Sequence, residues 1–340
     1  MIFDKKINFE NLNLTLSISV CLCISTFYVI SLYLWSKQNR YNRNEPSVIK
    51  RRFISVILSS MISYIIIYLI SSDETGNKKF TLTEWIGLRF DIKNFFNSIL
   101  VSLGLTAILF AGPIIQYIFT EYRYYLESKL YEINKLSNSQ SLGKNINHIN
   151  NLENFIKFFK FSLRNFLEEI SFVNIFSYFT DLHFLRNYVI STFTEEFVFR
   201  SCMLPLMTHH MNWVAVMLIT PLFFGTAHLH HIYEGFKAKE APFNILLMRH
   251  LFQFAYTYNF GVYSSFLFLR TGSFFSSFQA HSFCNLMGFP NVDELVNDFD
   301  KKTKILLMSS YVLGLFSFFY FINSMTNPIF FNNYVYSDYF

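Results

Sequence analysis

Three clusters of polar residues sit inside otherwise apolar stretches, and each has a spacing that could support bond hydrolysis. The first is Glu195-Glu196-Phe197-Val198-Phe199-Arg200. On a helix, Glu196 and Arg200 form an i,i+4 pair with the acid on the favourable N-terminal side, while Glu195 projects about 100° away. Arg200 then holds Glu196 as the anion. Glu195, desolvated beside that charge, is set apart to exchange a proton, and dividing two carboxylates in this way is a route to a general base. A buried ion pair that only locks helices together accounts for Glu196 and Arg200 but leaves Glu195 unexplained. The second cluster is Phe224-Gly225-Thr226-Ala227-His228, followed by His230 and His231. Phe224 and His228 share a helix face, so the ring could wall a pocket that His228 enters. A lone histidine on an apolar helix is more often a satisfied core residue, and His230 and His231 also suit a water interface. The third cluster, His281-Ser282-Phe283-Cys284-Asn285, again has i,i+4 spacing and can aim two donors at one point. That suits an oxyanion site, where one donor contributes roughly 10²–10³ in rate. Interhelical hydrogen bonding by His and Asn is the plainer account, at about 1 kcal/mol per bond.

Together the clusters contain a base, histidines and oxyanion donors, which is what amide hydrolysis requires. Other chemistries lack their signatures. There is no H-E-x-x-H zincin motif, no G-x-S-x-G elbow and no glycine-rich phosphate loop. Glu195, His228 and His281 could in principle offer three metal ligands, but the reading calls for no metal and no cofactor.

The elements that must position these residues are membrane spans. Of 340 residues, 52% are hydrophobic and 15% charged, with 44 Phe; a soluble domain carries about a quarter charged residues. Apolar runs reach the roughly 20 residues that a bilayer requires. The formal charge of +5 lies in loops beside these runs, as the positive-inside rule expects, so nucleic acid is not a partner. Cys21, Cys23, Cys202 and Cys284 lie in apolar surroundings without metal or disulfide spacing and read as packing.

The run 12–35 is too long for a signal-peptide core and reads as a retained first span. The second span is expected near 53–71, after a basic loop containing Lys37, Arg40, Arg43, Lys50, Arg51 and Arg52. A charge-balanced loop over 72–94 precedes a third span near 95–119, and the basic stretch 121–165 marks a return to the side of the first loop. Asn134–Asn154 resembles a disordered insertion, and 155–179 an amphipathic helix on or partly in the membrane. Five further segments are expected near 187–207, 213–230, 245–269, 274–290 and 305–325. The expected fold is all-α, a polytopic bundle of about eight transmembrane helices. It divides into N-terminal spans (1–186), a membrane core with the chemistry (187–290), and a last span with tail (291–340).

Glu195-Glu196-x-x-x-Arg200, Phe224-x-x-x-His228 and His281-x-x-x-Asn285, in that order on separate helices, resemble the motifs of the glutamate intramembrane endopeptidases. These are the type II CAAX prenyl proteases (Ras-converting enzyme) and their bacterial relatives. The flanks TEEFVFRSCMLPLM, FFGTAHLHH, FQFAYTYNFGVYSSFLFLRTGS and AHSFCNLMGFP are similar to the eukaryotic branch. The resemblance covers about 187–290; the first 180 residues share only hydropathy. It implies that Glu195 activates water, His228 helps hold it, His281 and Asn285 stabilise the oxyanion, and Glu196 and Arg200 brace the site. It further implies removal of the last three residues from farnesylated or geranylgeranylated CAAX proteins such as small GTPases. The enzyme would sit in the endoplasmic reticulum membrane, its site open to the cytosol. A non-catalytic scaffold of the same fold and a proton-coupled transporter are the rival readings. A scaffold has no need of Glu195, and a transporter of this kind often shows repeated halves, which this sequence lacks.

Overall fold

The computed structural model describes residues 6–35, 43–73, 80–89, 91–136, 152–169 and 172–337. Its helices follow from the solvent that the apolar runs imply. A chain in hydrocarbon must satisfy its backbone polar groups internally, and the helix does so within one segment. α1 (Leu14–Ser31) starts where the Asn13 side chain accepts the Leu16 N–H at 2.8 Å, an N-cap that satisfies one orphan donor. α2 (Pro46–Ile70) starts on proline, which is preorganised for a first turn. Among the described residues, five stretches are long and apolar enough to cross a membrane: Leu14–Ser31, Pro46–Ile70, Ile92–Leu109, Trp213–Ala238 and Lys301–Met325. The protein is an all-α, multi-pass membrane bundle.

The distribution of side chains is that of a membrane protein. On α2, Leu58, Met61, Ile65 and Leu69 are exposed while Ser55, Ser59, Ser63 and Ile67 are buried. The buried set recurs every four residues, and small residues along such a stripe let neighbouring helices approach closely. Their hydroxyls are satisfied locally where they bond back to the helix, as when Ser63 Oγ donates to the Ser59 carbonyl at 2.8 Å.

Several boundaries differ from the sequence expectation. α2 begins at Pro46, so Lys50, Arg51 and Arg52 ride on its first turns and not in a loop. The expected loop 72–94 contains two short strands, β2 (Ser72–Asp73) and β3 (Phe80–Thr81), which flank β1 (Lys6–Asn8) in the order β2-β1-β3. Both pairings are antiparallel, with Ile7 opposite Asp73 and Phe80. α3 (Leu82–Trp85) follows with a Thr81/Glu84 capping box. Burial works against the charge on Glu84, but the Thr81 N–H, the Tyr334 hydroxyl and the Thr81 hydroxyl outweigh it and hold the carboxyl below its ordinary range.

The run 95–119 divides at Phe110 into α4 (Ile92–Leu109) and α5 (Ala111–Leu136). Pro113 lies in the first turn of α5, where its missing N–H costs no bond. Gly112 leaves room for the ring of Tyr311 to pack against α5. The amphipathic stretch 155–179 forms two helices, α6 (Leu152–Glu169) and α7 (Phe172–Thr180), and Phe158 of α6 packs on Tyr122 and Leu126. Most of the Asn-rich stretch lies outside the described residues.

The chain clusters into two compact units. One comprises Met1–Thr106, Leu182–Leu286 and Phe321–Phe340; the other comprises Ala107–Asp181 and Met287–Tyr320. All seven motif residues belong to the first.

Candidate active site

The glutamates lie on a helix that is not uniformly α. α8 (Leu182–Phe184) passes into a π-turn at Leu185–Ile190, then α9 (Ser191–Glu196), a second π-turn at Phe197–Cys202, and α10 (Leu204–Thr208). A regular helix over 187–207 was expected; the wider turns are the difference. π-turns are rare and concentrate at functional sites because they loosen the i→i−4 ladder and re-aim side chains. Here Thr192 Oγ1 donates to the Asn187 carbonyl five residues back, at 3.1 Å. Residues 196–208 are all buried, as suits a helix that is surrounded by protein.

Glu196 is fully buried and Arg200 is 1% exposed. Arg200 Nη1 lies 3.2 Å from Glu196 Oε1, so the i,i+4 pair forms across the start of the second π-turn. His281 Nδ1 bonds the same oxygen at 2.7 Å, and Ser264 Oγ donates to Oε2 at 2.5 Å. The guanidinium also lies over two rings, with its carbon 4.3 Å from the Phe224 centroid and 5.6 Å from that of Phe260. Arginine suits such a place because its delocalised charge is weakly hydrated and stacks on aromatic faces.

Glu195 is turned elsewhere. Its side chain is 20% exposed and lines a cavity of about 100 Å³ together with His228, Phe224, Tyr28 and Ser191. His281 Nε2 lies 3.8 Å from Glu195 Oε2, so one imidazole faces both carboxylates.

α11 (Trp213–Ala227) ends at His228. The His228 Nδ1 is 2.9 Å from the Phe224 carbonyl. A carbonyl can only accept, so Nδ1 carries the hydrogen and Nε2 of the neutral ring is an acceptor. The Phe224 ring stands edge-on to His228, centroids 4.7 Å apart at 81°, which fixes the imidazole in the cavity wall.

The sequence reading puts Phe224, His228, Glu195, Glu196, Arg200, His281 and Asn285 in one site; the structure brings the first six together, and Asn285 bonds the Asn187 carbonyl instead. A model of the family described as "Type II CAAX prenyl endopeptidase Rce1-like" matches residues 179–287, the stretch that builds this site. The chain is 32% identical over 315 residues to human CAAX prenyl protease 2, an alignment covering 92% of this chain and 82% of the relative. The chain belongs to the type II CAAX prenyl endopeptidases. It is 29% identical over 274 residues to the probable CAAX prenyl protease 2 of Schizosaccharomyces pombe, covering 79% of each chain. It is 25% identical over 329 residues to CAAX prenyl protease 2 of Arabidopsis thaliana, covering 95% of this chain and 94% of the relative. No solved structure matches it. The protein is therefore a multi-pass membrane protease.

In this CAAX endopeptidase Asn285 stands apart from the other motif residues. It is exposed, and its Nδ2 donates to the Asn187 carbonyl at 2.9 Å and approaches Thr192 Oγ1 at 3.4 Å. The first bond serves the carbonyl of the first π-turn.

Three contributors escaped the sequence. Ser264 and Phe260, both on α13 (Phe243–Thr271), contact Glu196 and Arg200. Gly261 lies between them, where a Cβ would meet Pro221 Cβ at 2.7 Å and Arg200 Nη2 at 3.3 Å. The signal was indirect: a fully buried carboxylate needs more acceptor bonds satisfied than one arginine supplies, so a hydroxyl donor on a facing helix was to be sought.

His230, His231 and Glu234, on α12 (His230–Ala238), place three donor atoms within 4.8 Å and have the composition of a metal site. Arg52 Nη2, however, lies 2.5 Å from Glu234 Oε1, His231 Nδ1 lies 2.9 Å from Oε2, and Arg43 Nε lies 4.0 Å from Oε2. Glu234 thus already holds a cation, and two guanidiniums oppose the entry of a second.

Proposed function

We propose that this protein removes the C-terminal three residues from farnesylated or geranylgeranylated CAAX proteins, prenylated small GTPases among them, using water activated by Glu195. The observation that carries the reading is that Glu195 and His228 line one cavity, with the Nε2 of His228 left as an acceptor. A water between them donates one hydrogen to the Glu195 carboxylate and one to His228, which leaves its lone pairs directed at a substrate carbonyl. A cavity of about 100 Å³ has room for that water beside an acyl group, a water occupying roughly 30 Å³.

As the water oxygen bonds the carbonyl carbon, Glu195 takes its proton and the carbonyl oxygen becomes an oxyanion. Collapse breaks the C–N bond, and Glu195 returns the proton to the leaving nitrogen. The new carboxyl group gives the water's second proton to the freed amine, so the products are a prenylcysteine carboxylate and a tripeptide with a protonated amino terminus. His281 donates its Nδ1–H to Glu196, and a proton taken from solvent on its Nε2 during the reaction lets that nitrogen donate to the oxyanion. Asn285 supplies the second donor. The 3.4 Å contact with Thr192 is weak, beyond the usual N–H···O range, which leaves one amide hydrogen to turn toward substrate.

A prenylated substrate is held by its lipid at a membrane surface, and an enzyme within that bilayer can receive chain and lipid together. The basic residues after the first span support a cytosolic opening. The family resemblance supports the endoplasmic reticulum membrane.

A farnesylated CAAX peptide incubated with the purified full chain in ¹⁸O-water tests the reading by mass spectrometry. The expected products are the intact tripeptide and a prenylcysteine carboxylate carrying one ¹⁸O from solvent; cleavage at another bond, or none, sinks it. Asn285→Ala is expected to lower kcat by about 10²–10³ with KM nearly unchanged, because the donor acts on the transition state. If Asn285 only braces the π-turn, the variant instead loses thermal stability while the folded fraction keeps its turnover.

A further inference from the structure

Besides Glu195 and His228, three arginines line the cavity: Arg43, Arg52 and Arg186. They are not equivalent. Arg52 is 14% exposed at its side chain and is matched by Glu234, 4% exposed, at 2.5 Å. Arg186 donates its Nε to Asn187 Oδ1 at 2.9 Å, and its Nη1 to the Arg43 carbonyl at 2.8 Å and to Asn44 Oδ1 at 3.1 Å. It therefore fixes the main chain at Arg43. The Arg43 side chain is 49% exposed, and its contact with Glu234, at 4.0 Å, is at the limit of an ion pair. Of the three, Arg43 is the one held in place with its charge still available.

The carboxylates facing this group are Glu234, matched by Arg52, and Glu195, which faces the reacting carbonyl. His230 and His231 also line the wall; His230 Nδ1 bonds the Ala227 carbonyl at 2.5 Å and His231 Nδ1 bonds Glu234 at 2.9 Å. Apart from Glu195, which the reaction occupies, the carboxylate here is already matched, whereas an incoming anion finds Arg43. If the reaction proposed above is correct, the substrate carries such an anion. Its chain ends three residues beyond the scissile bond, so its terminal carboxylate lies at most about 10 Å from the scissile carbonyl.

We propose that Arg43, positioned by Arg186 and backed by the Arg52–Glu234 pair, binds the C-terminal carboxylate of the substrate and so sets the length of tail removed. A guanidinium fork matches a carboxylate bidentately, and a fixed anchor that lines the same cavity as the base acts as a ruler. This rests on the protease reading and is separable from it.

The test compares kcat/KM for a farnesylated CAAX peptide ending in a free carboxylate with that for its C-terminal carboxamide. The full chain is assayed in nonionic detergent without phospholipid, unchanged and as Arg43→Gln and Arg43→Lys. The unchanged enzyme is expected to prefer the acid by about 10–100-fold, the span that one charge-assisted hydrogen bond supports. Arg43→Gln should bring the ratio near unity, and Arg43→Lys should retain part of it. Equal cleavage of acid and amide by the unchanged enzyme, a measurement that needs no variant, overturns the proposal and leaves the protease reading intact. So does a preference that survives Arg43→Gln, or one that arises only when anionic lipid is added, which would assign Arg43 to headgroups. Failure of the unchanged enzyme to cleave either peptide overturns the protease reading, and this proposal with it.

Discussion

Glu195→Gln is expected to give a folded, substrate-binding protein whose turnover is lower by roughly 10³–10⁴, the upper range for loss of a general base. Glutamine keeps the size and much of the hydrogen-bonding capacity of glutamate but cannot take a proton from water. The fold should be indifferent to the change. The Glu195 side chain lines a cavity, is 20% exposed, and has His281 Nε2 at 3.8 Å, beyond hydrogen-bond range. Thermal unfolding in detergent should therefore match the unchanged enzyme within about 0.5 kcal/mol, as for sites that carry no buried pairing. Binding of a prenylated peptide should persist, since the water and not the lipid or peptide is what Glu195 addresses. The reading fails if the variant turns over at more than a tenth of the original rate. A marked loss of stability would equally show that Glu195 is structural.

How much of this site the sequence revealed can be traced to the range of each interaction. Glu196 with Arg200, and Phe224 with His228, are neighbours four apart on a single helix, so spacing alone brought them together. Both contacts are present, at 3.2 Å and with rings 4.7 Å apart. The π-turns flanking Ser191–Glu196 were not legible, because over six residues a repeat of 3.6 and a wider one leave nearly the same apolar pattern. Asn285 carries the right spacing from His281, but its bond to the Asn187 carbonyl exists because that turn opened its ladder. The Arg52–Glu234 pair joins residues 182 apart. Positive-inside bias accounted for Arg43 and Arg52 as loop charges, and only the helix start at Pro46 and the cavity wall give them a second role. Ser264 was hidden for another reason. Serines recur along these spans as back-bonding, helix-facing residues, as Ser60 and Ser63 do, so one that reaches across to a buried carboxylate has no distinctive local signature.

The second large effect belongs to Glu196, and it is on stability. Glu196 accepts from Ser264 and His281 and lies 3.2 Å from Arg200, all of them buried. Arg200 has fewer resources: Nη1 and Nη2 are buried without a well-formed hydrogen bond, so its charge is compensated by Glu196 and by the faces of Phe224 and Phe260. Cation–π contact offers about 2 kcal/mol when desolvated, less than the 3–5 kcal/mol typically lost when one partner of a buried pair is removed. Glu196→Gln should therefore be poorly expressed or unfold at much lower temperature, by an amount near 3–5 kcal/mol. Glutamine can still accept from Ser264 or His281, so the loss is expected to track Arg200 and not the hydroxyl. The double change Glu196→Gln with Arg200→Gln removes both charges and should recover part of the stability, since a buried pair often does little better than neutral residues of similar volume. It should not recover turnover, because His281 then lacks the carboxylate that holds its Nδ1. Unfolding and turnover of the two single glutamate variants and the double, measured in one detergent, decide the matter. A Glu196→Gln protein that is stable yet inactive would exchange the roles of the two glutamates, making Glu196 the base and Glu195 the brace.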